Sequence, residues 1–147
     1  MFMNRVDGKN EVSSLDSKIL IDINNWLIAE RFEIEPIIHS MAKDIQVDIS
    51  STHVVKAFGT LAVDIFKLPL EFLREHEVTV FVDGANATVN ETVVQLAQGL
   101  GFTAPQSDRL YNARLWELVC DLIRYFIVVA RLRPLAKPRS TLMCYRM

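Results

Sequence analysis

The sequence predicts an all-α fold, a helical bundle packed around one buried central helix. Three observations carry that expectation. Apolar residues recur at spacings of three and four through most of the chain, which is the period of an amphipathic helix. One segment, Asp108 to Leu132, is apolar on more than one face, as a helix enclosed by others would be. Only "EVTVFV", Glu77 to Val82, is rich in strand-forming residues, and an isolated strand has nothing to pair with.

In chain order, residues 1–14 are polar and read as a disordered N-terminus. Leu15, Ile19, Ile23, Trp26 and Leu27 then mark a first helix, with Ser14 or Asp16 as its cap. Pro36 suits a first helical turn, and Ile37, Ile38, Met41 and Ile45 follow at helical spacing. Ser50, Ser51 and Thr52 form a second capping cluster ahead of Val54, Val55, Phe58, Leu61, Ala62 and Ile65. Pro69 opens a short helix, "PLEFLREHEV", which Asp83-Gly84 ends. Thr88 or Asn90 caps the next helix, through Val93, Val94, Leu96 and Leu100, and Gly99, Gly101 and Pro105 mark the turn after it. The last helix holds Leu115, Trp116, Leu118, Val119, Leu122, Ile123, Phe126, Ile127, Val129 and Ala130, and Pro134 breaks it. The total is six or seven helices, forming a single domain over residues 15–136 and leaving a tail, 137–147, without a membrane anchor.

Composition bounds the function. At 147 residues one domain can bury roughly 68–70% of its unfolded surface. Half of the residues are hydrophobic and mean hydropathy is +0.19, which implies a buried central helix or an apolar surface reserved for a partner. A net charge of −2 leaves no electrostatic footprint for nucleic acid or anionic membrane. The two cysteines, Cys120 and Cys144, make no disulfide framework. The N-terminus lacks the apolar core of a signal peptide, and no stretch reaches the ~18 apolar residues that span a bilayer.

The residues offer little chemistry. His39, His53 and His76 lie on different segments without a second ligand at metal spacing. Glu33/Glu35 and Glu75/Glu77 are two apart, so on a helix they point apart. "QGLGF" follows a helix instead of a strand and lacks the lysine of a phosphate loop. No serine or cysteine sits in a nucleophile elbow. The expectation is therefore no enzyme, no cofactor and no metal, but a binding module that takes a helix into a groove.

Three stretches carry a family resemblance. In "SKILIDINNWLIAERF", Ile19-Leu20-Ile21-Asp22 and Trp26-Leu27 fill the places of the first-helix pattern of the Bcl-2 family. "VFVDGAN", Val80 to Asn86, keeps the Phe-x-Asp-Gly-x-Asn of that family's homology region one, and Ala87, Thr88 and Val89 stand where Trp, Gly and Arg would be. Leu132-Arg133-Pro134-Leu135 is similar to the Leu-Glu-Pro-Trp of homology region two.

The resemblance implies a Bcl-2-like bundle of six to eight helices with a surface hydrophobic groove, in a short viral member such as an iridovirus protein. It implies an inhibitor of apoptosis in the host cytoplasm or peripheral at mitochondria, sequestering the BH-3 helix of pro-apoptotic proteins of the Bim, Bak and Bax type. The groove residues it implies are Phe58, Leu61, Ala62, Leu73, Val80, Phe81, Asn86, Asn90, Val93 and Val94. Between Arg74 and Arg109 there is no Lys or Arg, so the ligand's Asp is left to Lys56, Lys67 or Arg74, or to neutral donors such as Asn86 and Asn90. The alternative is a helical scaffold or adaptor that forms a homodimer through its apolar surface.

Overall fold

The structure is a computed structural model that describes residues 15–25, 39–107 and 109–128, with no side-chain detail for Arg124, Tyr125, Ile127 and Val128. It is not all-α. Among the described residues a four-stranded sheet, β1 (Ile19–Asp22), β2 (His53–Lys56), β3 (Val82–Gly84) and β4 (Gln106–Ser107), runs in the order β1-β2-β3-β4. The helices are α1 (Met41–Asp48), α2 (Leu70–Glu75), α3 (Ala87–Gly99) and α4 (Ala113–Val128), with 3-10 turns at Val63–Lys67 and Leu110–Asn112.

The first expected helix is a strand. β1 lies parallel to β2 with Ile19 opposite His53 and Asp22 opposite Lys56. The helix expected from Val54 to Ile65 is β2, a turn at Phe58 and a 3-10 segment. "EVTVFV" is not isolated: β3 runs antiparallel to β2 and parallel to β4. The pairing continues upstream, where Val80 N donates to Thr103 O (2.8 Å) and Thr103 N to Val78 O (2.9 Å). The physical reason is length. Four apolar or mixed residues satisfy a helical spacing as easily as a strand, and a strand covered on both faces shows no alternation.

Side chains alternate across the sheet and define its two faces. Val55 joins Val80, Val82, Val93, Val94 and Ala97 in the larger core, under α3. Val54 faces the other way, into a smaller core with Ala42, Leu110 and Ala113 under α1 and α4. The result is a sheet between two helical layers. Pro69 stands at the N-cap position of α2, as a residue whose missing N–H costs nothing there. α3 is capped by Asn86, not by Thr88 or Asn90: its side chain accepts from Thr88 N at 3.0 Å and Val89 N at 3.1 Å. Gly101, with φ +91, makes the left-handed turn that ends this unit.

The last helix is a helix as expected, but its placement is not. It starts at Ala113 and packs on one face of the sheet instead of forming a bundle centre. Trp26, Leu27, Pro36, Ile37, Ile38, the N-terminal 14 residues and the tail from 137 lie outside the described residues.

Candidate functional site

Two parallel strands deliver two chain turns to the same edge of the sheet. After Asp22 come Ile23, Asn24 and Asn25; after Lys56 come Ala57, Phe58, Gly59 and Thr60. In open α/β sheets the crevice outside the carboxyl ends of the strands is where ligands bind. The ladder runs one step past the strands, with Ala57 N donating to Asp22 O (3.1 Å).

Phe58 sits in the left-handed region at φ 60, a conformation that a bulky residue adopts only when its surroundings impose it. The imposition is visible. Its ring is packed 6.0 Å from Phe66 and 5.9 Å from Phe102, an aromatic cluster that holds the turn. Gly59 follows because the next position has no room. A Cβ there would lie 3.2 Å from Asn25 Oδ1 and 3.3 Å from Ile23 O. Asn25 Nδ2 donates to Gly59 O at 2.7 Å, joining the two turns. Its Oδ1 is shielded from solvent and has no hydrogen-bond partner.

Beneath the turns lies a buried ionic cluster. Lys56, 1% exposed, donates to Asp22 Oδ2 at 2.9 Å, lies 3.7 Å from Glu117 Oε1 and reaches Asn24 O. Asp22 Oδ1 accepts from Asn24 N at 2.9 Å, which fixes the first turn. Glu117 accepts from Ser40 Oγ (3.0 Å), Met41 N (3.2 Å) and Ala42 N (3.2 Å). It caps α1 from another element, and the helix dipole helps to compensate a carboxylate there. Asp83, one strand over, accepts from the Trp116 indole N–H, and that ring stacks on Phe81 at 3.9 Å. Burial pushes the Asp83 carboxyl up to about 6, against a hydrogen bond with Ser107 that lowers it.

Among the described residues, the charged groups of this cluster are held inside the fold and not offered to solvent. The carboxylates Asp22, Asp83 and Glu117 are buried and engaged, and Lys56 is saturated with partners. Among the described residues no group of His, Cys, Asp or Glu could hold a metal ion. The turns present backbone groups and the Asn25 acceptor.

The expected groove residues do not converge on a surface. Phe58, Leu73, Val80, Val93 and Val94 belong to the core under α3, with Leu61 packed at its margin. Ala62 is exposed ahead of the 3-10 turn. Phe81 stacks on Trp116 of α4. Asn86 is the cap of α3, and Asn90 donates to Gly84 O (3.1 Å) and Ser107 O (2.9 Å), tying that helix to β3 and β4. Lys56 is buried, Lys67 pairs with Asp64 at 2.6 Å in solvent, and Arg74 is exposed at the end of α2. The residues that build the turns, Asn25 and Gly59, drew no attention in the sequence. The available signal was the apolar runs "ILID" and "HVVK", each closed by a charge and followed by Asn or Gly turn residues.

No protein-family model matches this chain and no curated protein does. Solved structures do. A chain from Arthrobacter sp. FB24, provisionally named as an F420-dependent NADP-reductase, superposes with a TM-score of 0.68 at 22% identity, over 82% of this chain and 57% of that one. A hypothetical protein from Sinorhizobium meliloti superposes with a TM-score of 0.52 at 19% identity, over 66% of this chain and 49% of that one. This chain shares their α/β fold. It spans about half of their length.

The shared fold overturns the Bcl-2 resemblance and what hung on it. A sheet between helical layers has no bundle groove, so the BH-3 helix as ligand, Bim, Bak and Bax as partners, and inhibition of apoptosis no longer follow. The adaptor alternative, argued from an all-α bundle, loses the same support. The expectation of a non-enzymatic module was argued from a helical bundle and falls with it; the fold is one also found in a chain named as a reductase.

Proposed function

We propose that this chain supplies one wall of an oxidoreductase site, against which the redox-active end of a nucleotide cofactor lies. The observation that carries the proposal is the junction of the two turns at the carboxyl ends of β1 and β2. There Asn25 Oδ1 is a shielded acceptor without a partner, suited to an amide or ring N–H of a ligand. The likeness of fold to a chain named as an F420-dependent NADP-reductase selects NADP and F420 as the cofactors to try.

The fit is partial. Asn25 and the backbone of Phe58–Gly59 would hold a planar polar group, and the cofactor would supply hydride chemistry that no side chain here can provide. The described residues contain no strand, Gly-rich turn and helix to cradle a pyrophosphate. The phosphates therefore require elements beyond these.

Amide NMR of the chain titrated with NADPH, NADP or F420 tests this. Shifts concentrated at residues 23–25 and 57–60, lost in Asn25→Ala with the rest of the spectrum preserved, are expected. Saturating shifts elsewhere, or none at millimolar ligand, would overturn it.

A further inference from the structure

One polar residue from each strand lines up across the sheet under α4. The pairing puts Asp22 of β1 beside Lys56 of β2, Lys56 beside Asp83 of β3, and Asp83 beside Ser107 of β4. Partners in register carry their side chains on the same face, so the four make a single row. Asp22, Lys56 and Asp83 are 2%, 1% and 1% exposed. Charge is costly to bury, and here it spans the whole width of the sheet.

The row ends on the candidate site. At the β1 end, Asp22 Oδ1 accepts from Asn24 N at 2.9 Å and Lys56 reaches Asn24 O, so the pair grips both backbone groups of the residue before Asn25. At the β4 end, Ser107 Oγ accepts from Asn112 Nδ2 at 2.8 Å and from Arg109 N at 3.3 Å, which leaves its hydroxyl proton for Asp83. Between the ends, one cation serves three carboxylates. Lys56 lies 2.9 Å from Asp22 and 3.7 Å from Glu117, while Asp83 takes the Trp116 indole N–H.

We propose that this row is a relay from Asp83 to the ligand turn: the charge on Asp83 sets how Lys56 divides itself among its partners, and through Asn24 the placement of the Asn25 acceptor. With Asp83 neutral, Lys56 stays on Asp22 and Asn24, the arrangement in the structure. An ionised Asp83 adds a third buried negative charge beside the one ammonium, and in a low dielectric that pull is strong. The ammonium is drawn toward β3, its hold on Asn24 O weakens and the turn loosens. Burial pushes the Asp83 carboxyl up to about 6, against the Ser107 hydrogen bond that lowers it, so the relay switches near that pH.

The groups that face Asp83 are Lys56 from β2, Ser107 from β4 and, from α4, Trp116, with Glu117 next to it and Asp121 one turn on. Arg109 meets the row through its backbone N–H. Glu91 of α3 binds Gln106, the β4 residue that points to the opposite face. The wiring belongs to the chain alone; its use in regulating a ligand rests on the cofactor reading above.

Indole and amide NMR of the free chain across about pH 4.5 to 8 tests it, a range in which the histidines also titrate. The Trp116 indole N–H and the amides of Asn24, Asn25 and Gly59 are expected to share one midpoint. Asp83→Asn flattens them all while the histidine resonances still titrate. Ser107→Ala moves the shared midpoint up, because the bond that lowers it is gone. Turn amides that stay flat, with or without a titrating indole, or that still titrate in Asp83→Asn, would overturn the relay. So would a Ser107→Ala protein in which the indole and turn midpoints separate. No ligand is added, so either result leaves the cofactor reading to its own titration.

Discussion

At the scale of single residues, Lys56 is the position whose role reverses most between sequence and structure. As one of three cations in a helical reading it was available to meet an acidic ligand; in the fold it is neutralised from within by Asp22 and Glu117. Removing one partner of a buried ionic cluster leaves the others uncompensated, at about 3–5 kcal/mol. Lys56→Met is therefore expected to lower the urea midpoint strongly, and a variant within 1 kcal/mol of the parent would contradict the cluster's role. Gly84 behaves similarly. In "VFVDGAN" it was read as part of the Asp-Gly break that ends a helix, but it lies in β3, paired with Val55, and it is glycine because a Cβ there would come within 2.2 Å of Asn90 Oδ1. Asn90 is held by Gly84 O and Ser107 O and has little freedom to retreat. Gly84→Ala should cost about 1–3 kcal/mol as overpacking, read by thermal or urea unfolding.

Among the elements, α3 was the most legible. Its stripe of Val93, Val94 and Ala97 is buried as the spacing requires, and its cap lies within the polar cluster before it. The true cap is Asn86, two residues before the expected Thr88, because a free Asn side chain outside the first turn reaches two helix N–H groups at once. Asn86→Ala should lose about 0.5–2 kcal/mol, and Asn86→Asp should retain most of it; equal losses in both would remove the capping account. α4 was legible as a helix and illegible in its placement. Its apolar residues do form a coherent stripe, but which face turns inward was decided by Glu117, whose partners lie more than seventy residues away in α1. β1 and β2 left only a faint signal, two short runs each closed by a charge. Each is four residues long, and the hydrogen bonds that make them strands come from each other across 34 positions of sequence.

For the molecule as a whole, the buried carboxylates join layers that the chain order keeps apart. Asp83 connects the sheet to α4 through Trp116, and its folded pKa of about 6 stands above the ordinary 3.8 because burial disfavours the charge. The folded state thus binds the proton more tightly than the unfolded chain between those two values. Stability from this group is fully present below pH 3.8 and is lost as pH rises through about 6. Asp83→Asn, which keeps an acceptor for the indole N–H, should remove that component of the slope. The check is the difference in unfolding free energy between the two proteins from pH 4 to pH 7; parallel curves would assign the titration elsewhere.

The sequence by itself determined what neighbours within a turn or two can settle. A helix start at Pro69 (though it ends at Glu75 and not at Asp83-Gly84), the amphipathic helix α3 with a polar cap before it, the glycine turn at Gly101 and a helix through Leu115–Phe126 all follow from hydrogen bonds and side-chain spacing inside one segment. It also registered an excess of apolar residues without saying where they go. Only the tertiary structure decided that Ile19–Asp22 and His53–Lys56 are strands, that Lys56 is buried, and that α4 shows its leucines to solvent. Each of those outcomes depends on a partner distant in sequence. A strand takes its hydrogen bonds from another strand, and a buried charge takes its neutralisation from another element. Local pattern contains neither.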